Sequence, residues 1–275
     1  MIRKSNPELH RDLIVGCDCI LKSTLADWWE WRGGSSLFFW RWPLEVRNIA
    51  RDGHPIWVQD TLPRYRRPQR KEQDPTLCDQ IRLKLENVIS KGYIGKGEVV
   101  SLTSYFAVPK GTSNVRMVYD STCSGLNSAI WVPSFSLPSV DTLTDRLDIT
   151  SWMSDLDMGE QFLNFPLDQD LQPYCGIDVC PYLGTSPGTQ TLWLRWARCM
   201  MGLKSSPYVA IKGTHLAEEA TQPWVSRRRT DGRIAADAPR FVDDLRPVGP
   251  SEDECWEATH TRATRYCYLG LQISS

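Results

Sequence analysis

The chain has 275 residues, of which 41% are hydrophobic and 24% charged, enough to bury a core and too apolar for wholesale disorder. Its 32 Lys and Arg balance 33 Asp and Glu, so a polyanionic ligand must be held by a local patch, not by the field of the whole molecule. Every long uncharged stretch is too polar for a bilayer core, and the opening MIRKSNPELHRDL lacks the apolar run of a secretory signal. The expectation is an intracellular protein, cytoplasmic or nuclear, with no membrane association. Nine cysteines without a C-x-x-C pair read as reduced thiols, and four scattered histidines give no zinc-finger spacing.

Residues 1–60 form a Trp-rich N-terminal extension, with Trp28, Trp29, Trp31, Trp40, Trp42 and Trp57 among the 12 tryptophans and a turn at 32–36. Packing against the next domain is the expected use of such a cluster; base stacking and a membrane interface are the alternatives. Residues 61–73 are a basic, Pro-rich linker or extended arm carrying Arg64, Arg66, Arg67, Arg70 and Lys71. Asp74 and Pro75 then open a helix, because Asp caps orphan amides and proline fits the first turn. Leu77, Ile81, Leu85, Val88 and Ile89 fall on one helical face, and Gly92 closes it.

Strands from Leu102 to Val108 and from Val115 to Tyr119 flank a turn at 111–114, with Lys110 and Arg116 as the basic residues of the two arms. A short helix is expected from Leu137 to Leu147, a strand from Trp152 to Leu156, a helix from Pro207 to Ala220 after GLKSS, and a short strand from Arg240 to Asp243. Ser251 with Glu254 makes a capping box for a last helix. Helices and strands intermix without regular βαβ spacing, which favours an α+β fold.

Two acidic clusters stand out. SDLDMGEQF sets Asp155 and Asp157 at strand spacing, and FVDDL sets Asp243 and Asp244 behind two apolar residues. Two such groups brought together repel unless a counter-charge joins them. Divalent magnesium removes that repulsion while leaving positions for phosphate oxygens, and two such ions clamp an in-line phosphoryl transfer. On spacing alone, surface acids at strand ends remain the competing reading.

The order of the neighbouring motifs adds to this, since from about Thr76 to the C-terminus the chain resembles the reverse transcriptase family of retroelements and retroviruses. LKLENVISKGYI and SYFAVPKGTSNVRMVYDSTCSGLN look like its fingers. LPSVDTLTDRL followed by SWMSDLDMGEQFLNFPLD looks like its motif A, where the metal-binding Asp precedes an aromatic by five residues and a proline by nine, met by Asp157, Phe162 and Pro166. MMGLKSSPYVA is similar to motif B through Gly202, Lys204 and Pro207, FVDD to motif C, and Tyr268, Leu269 and Gly270 to the primer grip.

The resemblance implies an α+β right-hand polymerase with an antiparallel palm sheet flanked by helices. Fingers would span 74–150 and return at 172–200, with palm at 151–171 and 201–275. The chain stops five residues after Gly270, so the expectation is an absent thumb, with thumb and RNase H regions supplied in a longer polyprotein and little processivity by this chain alone. It further implies RNA-directed DNA polymerase (nucleotidyltransferase) activity by a retrotransposon-derived fragment, with two magnesium ions or manganese, deoxynucleoside triphosphates, and a DNA primer on an RNA or DNA template. Asp157, Asp243 and Asp244 would be catalytic, the first and second holding metal with the carbonyl of Met158. Lys110, Arg116, Phe162, Met201 and Gly202 would meet the nucleotide, with Phe162 under its sugar. Lys204, Pro207, Tyr268, Leu269, Gly270, Arg227, Arg228 and Arg229 would meet template or primer.

Asp155 is expected to be a solvated strand residue. Met201 and Gln161 depart from the family pattern, which bears on substrate fit. Two other readings stay open: a domesticated or decayed fragment that binds nucleic acid without turnover, and an RNA-dependent RNA polymerase, against which Phe162 speaks.

Overall fold

The computed structural model describes residues 44–111, 114–137, 139, 141, 151–184, 192–221, 240–241, 244–268, 271 and 273. The tryptophans of 28–42, the turn at 32–36, Arg227, Arg228, Arg229, Leu269 and Gly270 lie outside the described residues, as does most of the helix expected over 137–147. In chain order the elements are α1 (Leu44–Asp52), β1 (Trp57–Val58), α2 (Pro75–Ser90), β2 (Ile94–Gly95), β3 (Ser104–Lys110), β4 (Asn114–Asp120), α3 (Leu126–Ala129), β5 (Ile130–Trp131), β6 (Trp152–Met153) and β7 (Leu156–Asp157). There follow β8 (Gly176–Asp178), α4 (Cys180–Leu183), β9 (Trp193–Trp196), α5 (Ser206–Thr221), β10 (Arg240–Phe241), β11 (Asp244–Leu245), β12 (Val248–Gly249) and α6 (Glu252–Tyr268). Small antiparallel sheets interleave with helices, in keeping with the expected α+β class.

The chain divides into two compact units, one of them built from Arg47–Pro133 and Phe165–Ala210. In it, Asp74 accepts a hydrogen bond from the Thr76 amide at 2.8 Å and Pro75 occupies the first turn, so α2 starts where the sequence sets it. Its Ile81, Leu85 and Val88 are buried. A three-stranded sheet of order β2-β9-β8 and the β3–β4 hairpin supply the flat partners, and the Tyr119 ring meets the Trp196 ring edge-on at 4.8 Å. Buried Tyr105 donates to the Asp178 carbonyl at 2.8 Å, and burial drives its phenol pKa far above the ordinary value.

The basic Pro-rich stretch is an extended arm laid on this unit. Gln69 pairs with the Tyr105 backbone in both directions, and the Arg66 side chain donates to the Val100 carbonyl. At the foot of β4, Asp120 accepts from the Thr122 and Cys123 amides and from the Cys123 thiol. The thiol bond, foremost, holds the Asp120 carboxyl below its usual range, while the same contact raises the thiol.

The second unit gathers Ser134–Asn164 and Ile211–Ser275, as far as these are described. It contains the sheet of order β10-β11-β7, the β12–β6 pair, and α6 packed along β12 and β6. The Ser251 hydroxyl accepts from the Glu254 amide at 3.3 Å and bonds the Glu254 carboxylate at 3.0 Å, which is the expected capping box; Glu252, Asp253 and Glu254 complement the helix dipole. Among the described residues, no helix is long and apolar enough to cross a membrane.

Candidate functional site

In the second unit β11 runs antiparallel to β7, with Asp244 opposite Asp157 and Leu245 opposite Leu156. Beyond them Val248 lies opposite Met153 and Gly249 opposite Trp152. The register is the same in both segments, so Asp155 stands opposite Arg246 and Ser154 opposite Pro247. Ser154 donates its amide to the Pro247 carbonyl at 3.0 Å, but proline has no N–H with which to answer. The strand expected from Trp152 to Leu156 is therefore one ladder in two pieces, reaching Asp157.

Because Ser154 and Pro247 form a hydrogen-bonded step, the Asp155–Arg246 and Asp157–Asp244 pairs are the non-hydrogen-bonded steps, with Cα atoms about 4.5 Å apart. Strand alternation puts all four side chains on one face, and all four residues are exposed. Leu245, on the opposite face, is buried. Asp155 is not merely solvated: Arg246 donates its Nε proton to Asp155 Oδ1 at 2.8 Å, with 77% of the Asp155 side chain and 54% of the Arg246 side chain exposed. A surface pair of this kind stabilises by about 0.2–1 kcal/mol.

Asp243 lies outside the described residues. Of the strand expected from Arg240 to Asp243, Arg240 and Phe241 are described as β10, which pairs antiparallel with β11 so that Phe241 stands opposite Asp244. The two facing carboxylates, Asp157 and Asp244, are hard oxygen donors open to solvent, a donor set that fits a magnesium or manganese ion keeping waters and phosphate oxygens in its shell. Among the described residues, no three His, Cys, Asp or Glu side chains converge as a metal cluster.

Met158 is buried, bridging Ile273 through its backbone, so only its main chain remains to serve a site. Phe162 is half-buried on a 3-10 turn, Gln161–Asn164, which Asn164 ties by donating to the Gly159 and Gln161 carbonyls. Gln161 is buried, and the last turn of α6 ends at Tyr268.

In the first unit, β3 and β4 pair over seven positions from Ser104–Asp120 to Lys110–Asn114. Lys110 and Arg116 are exposed and share a face with Phe106, itself 50% exposed. Gly202 has φ +91°, and a Cβ there would stand 1.8 Å from the Tyr119 carbonyl oxygen. The close approach that requires glycine is thus made to β4. Asn127, which carries no signal in the sequence, donates to the Gly202 carbonyl at 2.9 Å and accepts from the Lys204 amide at 2.8 Å. The Lys204 ammonium donates to the Ile130 carbonyl at 2.8 Å, while Pro207 sits in the first turn of α5 and Met201 is exposed.

No family model matches the sequence, and no curated protein matches it. Among solved structures, the chain is similar to the foamy viral protease-reverse transcriptase in complex with double-stranded DNA, with 19% identity and a TM-score of 0.58 over 78% of this chain and 33% of that one. It is also similar to the Prototype Foamy Virus protease-reverse transcriptase, with 16% identity and a TM-score of 0.61 over 80% and 26%. A further foamy viral complex with double-stranded DNA gives 18%, 0.57, 78% and 39%. The fold is reverse-transcriptase-like. The chain spans between 26% and 39% of the length of these solved chains.

Proposed function

We propose that the chain is the polymerising core of an RNA-directed DNA polymerase, using deoxynucleoside triphosphates and a DNA primer on an RNA or DNA template. The observation that carries this reading is the facing pair Asp157–Asp244 on an exposed ladder of a reverse-transcriptase-like fold. Asp157 and Asp243 hold the metals and Asp244 assists. When bound, two divalent ions offset the repulsion among these carboxylates and polarise the attacking and leaving oxygens. In the reaction the primer 3′-hydroxyl oxygen bonds the α-phosphorus, the bond to the bridging oxygen breaks, pyrophosphate leaves and the hydroxyl proton passes to solvent.

Lys110 and Arg116, two cations on one hairpin face, suit triphosphate oxygens: the guanidinium is bidentate and the ammonium a point charge. Phe162 serves as the floor under the sugar, Met201 and Gly202 adjoin the nucleotide, and Lys204, Pro207, Tyr268 to Gly270 and Arg227 to Arg229 serve the template and primer. The complexes of two similar proteins with double-stranded DNA support a nucleic-acid duplex as partner.

The purified chain is expected to extend a DNA primer on an RNA template in magnesium, and Asp157→Ala or Asp243→Ala to reduce extension by several orders of magnitude. Template binding without extension by the wild type would overturn the reading in favour of a non-catalytic nucleic-acid binder. Phe162→Val should raise ribonucleotide use relative to deoxynucleotide use. A ratio within about twofold of wild type would make Phe162 a packing residue, and a wild type that prefers ribonucleotides would point to RNA synthesis.

A further inference from the structure

In the first unit, β1 and β5 set Trp57 directly opposite Trp131 and Val58 opposite Ile130. The Gln59 amide donates to the Ala129 carbonyl at 2.8 Å, so Gln59–Ala129 and, by alternation, Trp57–Trp131 are hydrogen-bonded steps, and the two indoles share one face. At the step between them the Ile130 carbonyl points away from β1, and there the Lys204 ammonium meets it at 2.8 Å. The two indoles meet edge to face at 5.6 Å, and the Trp57 ring also contacts the rings of His54 at 5.7 Å and of buried Tyr208 at 6.2 Å. Despite these contacts Trp57 is 43% and Trp131 46% exposed. The pair is braced from within the fold and still presents ring surface to solvent.

We propose that Trp57 and Trp131, with Lys204 beside them, form a stacking site for unpaired bases of single-stranded RNA or DNA. The inference rests on the reading of nucleic acid as this chain's partner. Area decides against a protein: less than half of each indole, roughly 100 Å² apiece, is far below the about 800 Å² that a stable protein partner covers. A base needs only one ring face, and every base has a face of its own to offer. Charge agrees, because the Ile130 carbonyl fixes the exposed Lys204 ammonium next to Trp131, where it suits a backbone phosphate. Arg64, Arg66 and Arg67, all exposed, follow β1 along the chain, against Asp60 as the one acid between Trp57 and Arg67. The rings are already held by one another, His54 and Tyr208, so little side-chain freedom is lost on binding.

The deciding experiment measures, by fluorescence anisotropy, binding of the full chain to labelled oligothymidylate, to an abasic strand of the same length and to a blunt duplex. Wild type is expected to bind oligothymidylate about tenfold more tightly than the abasic strand, which keeps the phosphates and lacks the bases. Trp57→Leu and Trp131→Leu should each weaken oligothymidylate binding about five- to tenfold while leaving the abasic strand and the duplex within about twofold, which also shows that the variants are folded. Trp131→Phe keeps a ring face and should stay within about threefold of wild type. Lys204→Gln should lower the salt dependence for both strands by about one released ion, and an unchanged dependence would overturn its part in the site. Wild type binding both strands alike, or Leu variants binding oligothymidylate as wild type does, overturns the proposal and leaves the polymerase reading intact if primer extension persists. Leu variants that lose only binding to phosphatidylglycerol vesicles overturn it in favour of a lipid surface. A wild type that binds neither strand nor duplex overturns both readings.

Discussion

The β3–β4 hairpin and the β7–β11 ladder are both antiparallel and both carry charge on an exposed face, yet they are built differently. The hairpin pairs seven consecutive positions between arms adjacent in the chain, and alternate residues Tyr105, Val115 and Tyr119 are buried, so its register is fixed by the turn and by burial together. The acidic ladder joins residues nearly 90 positions apart, loses one donor at Pro247, and sets two like charges face to face. Like charges directly opposite destabilise a pair of strands, so the ladder holds through what lies behind it, buried Leu245 and Pro247, and through α6 packed along β12 and β6. The regular ladder carries cations at little cost. The interrupted one sets two acids opposite each other at the positions proposed above to hold a metal.

The comparison breaks most severely at Gly202. Gly202→Ala drives a Cβ into the Tyr119 carbonyl at a backbone angle that L residues avoid, so it should displace the outer edge of β4 and cost about 2–4 kcal/mol in urea unfolding. A loss under about 1 kcal/mol would mean that the Gly202 turn yields readily.

Asp120→Ala tests the same open end of the hairpin and should cost about 1 kcal/mol, since three donors lose their acceptor. The pH dependence gives the sign. The Asp120 pKa is lowered in the fold, so its contribution is present above the ordinary value of 3.8 and fades as the pH falls below that value toward the folded pKa. The wild-type stability should therefore fall more steeply on acidification than that of Asp120→Ala, and parallel curves would remove Asp120 from the account.

The smallest effect sharpens the contrast instead of breaking it. Pro247→Val restores the missing N–H opposite Ser154, which should slow hydrogen exchange along β6 and β12 and raise stability by less than about 1 kcal/mol, the regained hydrogen bond being offset by a freer unfolded chain. Unchanged exchange would show that the gap is not the ladder's weak point.

Several elements were legible in the sequence because their causes lie within a few residues. Asp74 and Pro75 open α2, Ser251 and Glu254 open α6, and the two arms of the hairpin meet across a short turn, so capping and strand pairing there follow from local chemistry. The spacing of Asp155, Asp157, Asp243 and Asp244 was equally visible, and it marked the acids as candidates. Arg246 was not visible in this way, because the strand read from the sequence ended at Asp243 and only the cross-strand register places Arg246 beside Asp155.

What the tertiary structure alone decided is who faces whom. The register that opposes Asp157 to Asp244 and Asp155 to Arg246, the approach of Gly202 to the Tyr119 carbonyl and the engagement of Lys204 with Ile130 all join segments far apart in the chain. Such pairings are set by loop closure and by which faces the core can bury, and a one-residue slip would exchange every inward side chain for an outward one without altering any local propensity.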